Sequence, residues 1–327
     1  MLHLLEPLLT AGDGALGRLV LGRQGFGQLA RAAGLQCLES EDLDRAWRWL
    51  SLATRLAPDD ARAQFFSGMT ALGRKDAAEA RARFQTAADL DPGSSLAHSA
   101  LAQMSLPGPG YYDVLRRIHE HLRPRTYLEI GVEAGRSLAL ALPGTRAIGI
   151  DPEPQLAAPP APGVTVHAMT SEAFFARHDV RAELGGAPID LAFIDGMHTF
   201  ESALRDFIEI EKHCTPRSTI LFHDGYPLDR TTADRERRTK FWSGDIWRLV
   251  LALRKYRPDL SVHTVTTAPT GLGLVRRLDP GSRVLEERFR EIEREFLALD
   301  YSVLDADKRG MLAAVANDWE QVVPLLS

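Results

Sequence analysis

Over the last two thirds of the chain, short apolar runs alternate with amphipathic segments. Six runs have the length and the apolar, β-branched content of strands. They are YLEIGV (127–132), AIGID (147–151), VTVHAM (164–169), IDLAFID (189–195), STILFHD (218–224) and SVHTVTT (261–267). Residues 200–213, between the fourth and fifth runs, repeat apolar positions with the period of a helix. Alternating strands and helices predict an α/β fold with a doubly wound, mostly parallel sheet.

The first part of the chain repeats with a period of 34 residues. Residues of the same type recur at this spacing at Gly34 and Gly68, Ala46 and Ala80, Ala53 and Ala87, and Pro58 and Pro92. Small residues allow two helices to approach closely, and proline ends a helix before the next turn. The pattern resembles tetratricopeptide (TPR) repeats. That resemblance implies an all-α domain of two units, 25–58 and 59–92, followed by a capping helix near 94–105.

A break separates the two patterns, because residues 105–110 contain two prolines and two glycines. We therefore predict a TPR-like helical domain over 1–106 and an α/β domain over 111–280. The segment GLGLVRR (271–277) predicts a closing edge strand. Residues 281–327 are expected to form a helical extension, in which one apolar seam docks onto the core or a subunit partner. The seam consists of Leu285, Phe289, Ile292 and Phe296.

Composition narrows the class of protein. The 327 residues allow about two domains. The net charge of −5, from 39 cationic and 44 acidic residues, gives no overall basic field for nucleic acid. The first 17 residues lack the cationic start of a signal peptide, and no apolar stretch approaches the ~18 residues of a membrane span. We expect a cytoplasmic protein that binds neither nucleic acid nor membrane.

A glycine motif follows the first predicted strand. Glu129 opens the sequence E-I-G-x-x-x-G, in which Gly131 and Gly135 precede Ser137. Such a turn places bare backbone beside a ligand. Asp151 ends the next strand, 20 residues after Gly131, where a carboxylate can accept both hydroxyls of a ribose. A strand-end cap is the other interpretation of Asp151.

Two further groups of polar residues follow later strands. Ser171 and Glu172 come just after the third strand, where an adenine would lie, although both are also ordinary first-turn residues of a helix. Asp195 and His198 follow the fourth strand, and His223 and Asp224 end the fifth strand. Adjacent carboxyl ends of a doubly wound sheet open on one crevice, so the last four residues should converge. Carboxylates with an imidazole predict a site for Mg²⁺ or Mn²⁺.

Residues 111–279 resemble the class I S-adenosylmethionine (SAM)-dependent methyltransferases of the metal-linked O-methyltransferase type. The motif D-G-x-H followed by H-D is similar to the motif of a bacterial subgroup that acts on sugars and natural products. The resemblance implies a Rossmann-like methyltransferase fold with SAM as cofactor. The residues implied to contact SAM are Glu129, Gly131, Gly135, Ser137 and Asp151, with Ser171 and Glu172 at the adenine.

The same resemblance assigns the catalytic residues. It implies that Asp195, His223 and Asp224 bind the metal and that His198 is the general base beside Asp195. His223 departs from the family, whose well-understood members carry a carboxylate there. If His223 does not bind a metal, it orients the substrate or acts as the base.

The segment between the fifth strand and the next helix is too polar for a core, and predicts a lid in which Trp242 can stack on a ring of the ligand. The function predicted from the sequence is methyl transfer to a hydroxyl of a sugar or secondary metabolite. The TPR-like domain and the C-terminal helices are expected to bind a protein partner or a second copy of the chain. The alternative is an inactive SAM-binding or TPR scaffold. The absence of G-x-G-x-x-G disfavours a nicotinamide dehydrogenase.

Overall fold

The computed structural model describes residues 15–327, with side chains described from residue 22 onward. The prediction about a signal peptide concerns mainly residues 1–14, which lie outside the described residues. The chain divides into two compact units. The first contains the described residues up to Met104 together with Arg238–Phe241, and the second contains Ser105–Arg237 together with Trp242–Ser327. The predicted C-terminal extension belongs to the second unit.

The first unit is helical. Its described helices are α1 (Ala15–Glu39, interrupted at Gly22), α2 (Leu43–Leu56), α3 (Ala61–Gly73), α4 (Ala77–Leu90) and α5 (Ser95–Ser105). The starts of α2 and α4, at residues 43 and 77, differ by 34, as do those of α3 and α5 at residues 61 and 95. Asp42 and Asp76, also 34 residues apart, cap α2 and α4 by accepting a hydrogen bond from the backbone. The helices therefore repeat with the period read from the sequence.

Glycines of the repeat allow close helix packing in this unit. A Cβ at Gly34 would lie 2.5 Å from Cγ of Leu50, and one at Gly68 would lie 2.7 Å from the ring of Phe84. Leu50 and Phe84 are fully buried. Larger residues at either glycine would push these helices apart.

The second unit is built on an eight-stranded sheet. Its strands are β1 (Thr126–Ile130), β2 (Arg146–Asp151), β3 (Val164–Ala168), β4 (Leu191–Ile194), β5 (Thr219–His223), β6 (Ser261–Val265), β7 (Leu272–Arg276) and β8 (Ala314–Val315). The order is β3-β2-β1-β4-β5-β7-β6-β8, with β1 to β5 parallel and β7 antiparallel to both neighbours. The predicted doubly wound, mostly parallel α/β sheet after a helical region is confirmed.

Helices cover both faces of this sheet. They are α6 (Tyr111–Leu122), α7 (Ser171–Arg177), α8 (Val180–Glu183), α9 (Phe200–Glu211), α10 (Trp247–Tyr256), α11 (Val284–Glu287), α12 (Phe289–Leu297), α13 (Lys308–Met311) and α14 (Trp319–Val322). Successive strand residues point to opposite faces, so Leu128 packs with α9 and α10 in one core cluster while Tyr127 packs with α6 in another. None of the described helices is long and apolar enough to cross a lipid bilayer.

Two expectations about the last strands differ from the structure. The segment 271–277 forms β7, which lies between β5 and β6 rather than at an edge. Gly273 permits this pairing, because a Cβ there would lie 2.2 Å from the buried ring of Phe222 on β5. The C-terminal segment is not purely helical, since β8 pairs with β6 through Thr264 and Val265. Its apolar seam does join the core of the second unit.

Candidate active site

The carboxyl ends of β1, β2, β4 and β5 carry the candidate residues. In the sheet β1 lies between β2 and β4, and β5 follows β4. The loops after these parallel strands therefore leave the same edge of the sheet, as expected for a doubly wound fold. The structure brings Asp195, His198, His223 and Asp224 together in one cleft, which is also lined by Met197 and Ile246.

The glycine motif forms a tight loop after β1. Gly131 and Gly135 have φ angles of +86° and +77°, a region that favours glycine. A Cβ at Gly131 would lie 2.0 Å from the carbonyl oxygen of Asp195, whereas one at Gly135 would lie 2.9 Å from Cδ2 of Leu156. The bare backbone at Gly131 thus permits the loop after β1 to lie directly against the loop after β4.

Glu129 is fully buried on β1 and is hydrogen-bonded to Ser137, which follows this loop. Its carboxyl accepts hydrogen bonds from the Tyr127 hydroxyl at 2.6 Å and from the Ser137 hydroxyl at 2.7 Å. Burial raises the pKa of Glu129 to about 8, although the two hydroxyl groups oppose the rise. Both carboxyl oxygens are engaged within the chain, and Glu129 and Ser137 therefore fix the position of the glycine loop.

Asp151 performs a related task at the end of β2. Its carboxylate accepts the backbone N–H groups of Val132 and Glu133, at 2.9 and 2.8 Å, and that of Glu153 at 2.8 Å. This is close to the capping role weighed from the sequence. A carboxylate offers about four acceptor positions, so one remains for the hydroxyl of a ligand.

Ser171 and Glu172 lie in the first turn of α7, whose cap is the preceding Thr170. Ser171 hydrogen-bonds the carboxyl of Asp206 on α9, while Glu172 is exposed. Burial raises the pKa of Asp206 to about 6. The sequence analysis missed Asp206, because it lies off the apolar face of α9, where an acidic residue is expected to be exposed, whereas the structure buries it.

The four residues at the ends of β4 and β5 form two acid–histidine pairs, and each pair joins one residue from the end of β4 to one from the end of β5. Nδ1 of His198 lies 2.7 Å from Oδ2 of Asp224, and Nδ1 of His223 lies 3.2 Å from Oδ1 of Asp195. His223 is also 3.5 Å from Oδ1 of Asp224. His223 and Asp224 are buried, whereas the His198 side chain is 29% exposed toward solvent. His198 is thus the histidine of the pair that a solute can reach.

The carboxylates and imidazoles of these pairs shift one another's pKa values. Burial alone would lower the pKa of His198, but the carboxylates of Asp224 and Asp195 outweigh it and raise that pKa to about 9. The pKa of His223 is raised in the same way, against its burial. In return the two imidazoles hold the pKa of the Asp224 carboxyl below its usual range despite burial. Paired charges make the burial of these groups tolerable.

Three neighbours position the pairs, and the sequence analysis had assigned a role to only one of them. The ring of Tyr111, at the start of α6, stacks on His223 with centroids 4.2 Å apart. The Thr270 hydroxyl donates a hydrogen bond of 2.6 Å to Oδ1 of Asp224. Trp242 stacks on the His198 ring at 5.3 Å and an interplanar angle of 12°. Trp242 was expected to stack on a ligand ring, whereas here its partner is the candidate base.

The long loop between β5 and α10 is tied to the loop that carries His198. Asp245, fully buried, accepts the backbone N–H of Phe200 at 2.7 Å at the start of α9. Arg235 bridges Asp245 and Glu201. At Gly244, with φ +57°, a Cβ would lie 1.8 Å from the carbonyl oxygen of His198. The loop therefore has a defined role in placing His198 and Trp242.

The donor set of the cleft fits a divalent cation. One ligand atom each from Asp195, His198 and Asp224 lie within 4.8 Å of one another. Two carboxylates and an imidazole suit Mg²⁺ or Mn²⁺. The sequence had placed His223 in this set and His198 outside it. In the structure both imidazoles flank the same two carboxylates.

Part of the second unit matches a known family. Residues 128–225 match the model of a family described as a methyltransferase domain. The matched segment begins within β1 and ends just after Asp224, so it contains the glycine loop and both acid–histidine pairs. The match supports the predicted methyltransferase class. No curated protein matches the chain.

Solved structures of methyltransferases resemble the chain distantly. The O-methyltransferase TomG from Streptomyces achromogenes, involved in tomaymycin synthesis and in complex with SAM, is 20% identical, with 56% of this chain and 89% of that chain covered and a TM-score of 0.41. The O-methyltransferase from Bacillus cereus, in complex with S-adenosylhomocysteine, is 16% identical, with 61% and 97% covered and a TM-score of 0.39. Likenesses of this size do not assign a function to the chain.

Proposed function

We propose that this protein is a SAM-dependent O-methyltransferase that acts on a hydroxyl group of a sugar or secondary metabolite. The observation that carries the proposal is the pair of acid–histidine contacts, His198 with Asp224 and His223 with Asp195, at the sheet edge beside the glycine loop. Both contacts fall within the segment that matches the methyltransferase family. The arrangement supplies what methyl transfer to oxygen requires, which is a site for the donor and a group that takes the hydroxyl proton.

His198 is the proposed base. Asp224 contacts its Nδ1, and Trp242 packs along its ring, so Nε2 is the nitrogen that accepts a proton when the ring is neutral, the form that prevails above its pKa of about 9. When bound, SAM would supply the methyl group and leave as the neutral thioether S-adenosylhomocysteine, and Nε2 of His198 would accept the proton that the acceptor hydroxyl loses. No covalent enzyme intermediate is needed, and catalysis rests mainly on placing the two reactants.

Residues at the ends of β1 and β2 are proposed to bind the donor. Asp151 keeps one acceptor position for a ribose hydroxyl while its other contacts shape the loop from Val132 to Glu153. Glu129 and Ser137, both buried, keep Gly131 against the loop after β4.

Ser171 and Glu172, in the first turn of the helix after β3, remain proposed adenine contacts.

Asp195 and Asp224 are proposed to hold a divalent ion together with His223, as first predicted, which leaves His198 available as the base. When bound, Mg²⁺ or Mn²⁺ would lower the pKa of the acceptor hydroxyl. Tyr111 and Thr270 restrict the motion of the buried His223 and Asp224, and so keep the ligand atoms in place.

Binding of S-adenosylhomocysteine tests the proposal. Calorimetry on the full chain should give a dissociation constant in the micromolar range. Asp151→Ala should weaken binding roughly 10- to 100-fold, because it removes a charged hydrogen-bond acceptor. Asp89→Ala, a change on the exposed surface of α4, is the matched control and should bind as the wild type does. A folded wild-type chain without affinity for S-adenosylhomocysteine would overturn the proposal and favour the scaffold alternative.

The acceptor class needs a separate assay. Methyl transfer should be measured by mass spectrometry with hydroxylated sugars and natural products, and with amine analogues of the same skeletons. Products methylated on oxygen are expected. Methylation of the amines alone would replace the O-methyltransferase assignment while leaving SAM binding intact.

We also propose that α1 with α2, and α3 with α4, form two TPR-like hairpins that α5 caps. The support is the 34-residue offset of the helices and their aspartate caps, together with glycines where helices meet. Substituting Gly68 by Leu should destabilise the first unit by about 2 kcal/mol or more through overpacking against Phe84. Thermal unfolding checks this, with Gly93→Leu in the turn after α4 as the control.

A further inference from the structure

A second cluster of metal-binding side chains lies at the far edge of the sheet, outside the candidate active site. His167 is on β3, the edge strand, His178 follows the last residue of α7, and Glu183 ends α8. Oε2 of Glu183 lies 2.8 Å from Nε2 of His167, and its Oε1 lies 2.6 Å from Nδ1 of His178. One ligand atom from each residue lies within 4.8 Å of the others. The proposed mechanism uses none of the three.

We propose that His167, His178 and Glu183 bind one divalent transition-metal ion, with Zn²⁺ as the ion of choice. Two imidazole nitrogens and one carboxylate form a donor set typical of zinc, and imidazole favours such ions over Mg²⁺. Three protein ligands leave a coordination position for water, so the ion should be exchangeable. This inference is independent of the proposed methyl transfer.

Packing around the cluster holds its side chains close together. The two imidazole rings touch, with centroids 4.6 Å apart. Phe174, fully buried, stacks on His178 at 4.9 Å and packs against His167 at the same distance, which fixes both rings from one side. Apolar support of this kind preorganises ligands.

Access and geometry allow the ion to enter. The side chains of His167, His178 and Glu183 are 14, 27 and 26% exposed, so the cluster is open to solvent on one side. Ligand atoms around a tetrahedral Zn²⁺ are separated by about 3.3 Å, given bonds of about 2.0 Å. The two observed contacts, which go to different oxygens of Glu183, are shorter, and small side-chain rotations that lengthen them by about half an ångström would make room. The ring protons move to the other imidazole nitrogens when the ion binds.

Zn²⁺ and Co²⁺ alone serve as probes. The candidate active site also contains metal-binding groups, so binding is measured in a background of Asp195→Asn with His198→Gln. In this background we expect about one equivalent of Zn²⁺ by calorimetry, and visible Co²⁺ absorption bands that report imidazole ligation. Zn²⁺ at 100 times its dissociation constant should raise the melting temperature by about 5 °C.

Substitutions assign the site. His178→Gln and Glu183→Gln, each added to the background, should weaken Zn²⁺ binding at least tenfold and remove the Co²⁺ bands. His213→Gln, a matched change outside the cluster, should leave both unchanged. Circular dichroism without metal checks that each variant folds, and two variants are used so that one remains informative if the other unfolds. A background protein that binds no Zn²⁺, or a folded His178→Gln variant that binds it as tightly as the background, would overturn the proposal.

Discussion

Nδ1 of His198 and Oδ2 of Asp224 lie 2.7 Å apart, although one residue follows β4 and the other follows β5. Asp224 adopts a positive φ of 63°, which turns its carboxylate back toward the loop after β4. A non-glycine residue in this conformation is uncommon, and aspartate and asparagine adopt it more readily than most. The contact therefore depends on local backbone geometry as well as on the order of the strands.

Removal of either partner of this contact should reduce catalysis more than binding. His198→Gln should lower kcat of methyl transfer about 100-fold or more, because general-base catalysis contributes factors of that size. Asp224→Asn keeps the side-chain shape and tolerates the positive φ, yet loses the charge that holds the imidazole. We expect a similar loss. Steady-state kinetics with calorimetry for S-adenosylhomocysteine separate the two effects.

The matched control is His121→Gln, on the exposed surface of α6, which should retain wild-type kcat. The affinity for S-adenosylhomocysteine should stay within about twofold in His198→Gln, since Nε2 acts on the acceptor. A His198→Gln variant with wild-type kcat would exclude His198 as the base and leave His223 as the remaining imidazole of the cleft.

Chelation should test the ion proposed for Asp195 and Asp224. EDTA is expected to abolish methyl transfer, and Mg²⁺ or Mn²⁺ should restore it, because carboxylate ligands suit these ions. Restoration by Mg²⁺ separates this site from the cluster of His167, His178 and Glu183, whose imidazoles disfavour Mg²⁺. Activity that is indifferent to EDTA would assign the chemistry to the acid–histidine pairs alone.

Which residues meet at the site was predictable from the sequence, while their individual contacts were not. Parallel strands end at one edge, so Asp195 and Asp224 had to lie close together once β4 and β5 were recognised as neighbours. The pairing of His198 with Asp224 follows from the positive φ at Asp224, which no pattern in the sequence encodes. Tyr111 and Thr270 reach the site from distant parts of the chain, and only the folded structure relates them.

The fold could be predicted from the sequence where the hydrophobic patterns were long. The four central parallel strands, β1, β2, β4 and β5, were found within a few residues of their bounds, because their buried positions form nearly continuous apolar runs. The place of β7 between β5 and β6 was not, since the pairing of Gly273 with Phe222 is a tertiary contact that no periodic pattern in the sequence marks. The two residues of β8 are too short to carry a periodic signal, and their pairing with β6 is set by tertiary contacts.

Because Gly244 approaches His198 closely, a single methyl group added at Gly244 should affect both stability and kcat. Gly244→Ala should destabilise the protein and lower kcat, because its Cβ would lie 1.8 Å from the carbonyl oxygen of His198. Gly186→Ala is the matched control, since Gly186 also has a positive φ, of +83°, but no atom within 4 Å of an added Cβ. The control should cost only the backbone strain, about 1 kcal/mol. Denaturant unfolding and kinetics compare the two, and equal effects on kcat would contradict the role of Gly244.

A buried histidine on α6 should make stability depend on pH. His119 is 1% exposed, and within the described part of the chain neither ring nitrogen has a hydrogen-bond partner. Burial lowers its pKa to about 4. Between pH 4 and 6.5 the unfolded chain therefore binds a proton that the native state does not, and this lowers the free energy of unfolding as the pH falls.

Replacement of this histidine by leucine should remove that penalty. His119→Leu should stabilise the protein by about 2 kcal/mol more at pH 5 than at pH 8, from the shift in pKa between the two states. Urea unfolding at both pH values measures the difference, and His121→Leu on the same helix is the exposed control without such a gain. The ring of His119 packs edge-on against Tyr127 at 4.7 Å, so part of the gain is offset by the lost contact at both pH values alike. A gain that does not change with pH would mean that His119 titrates normally in the native state.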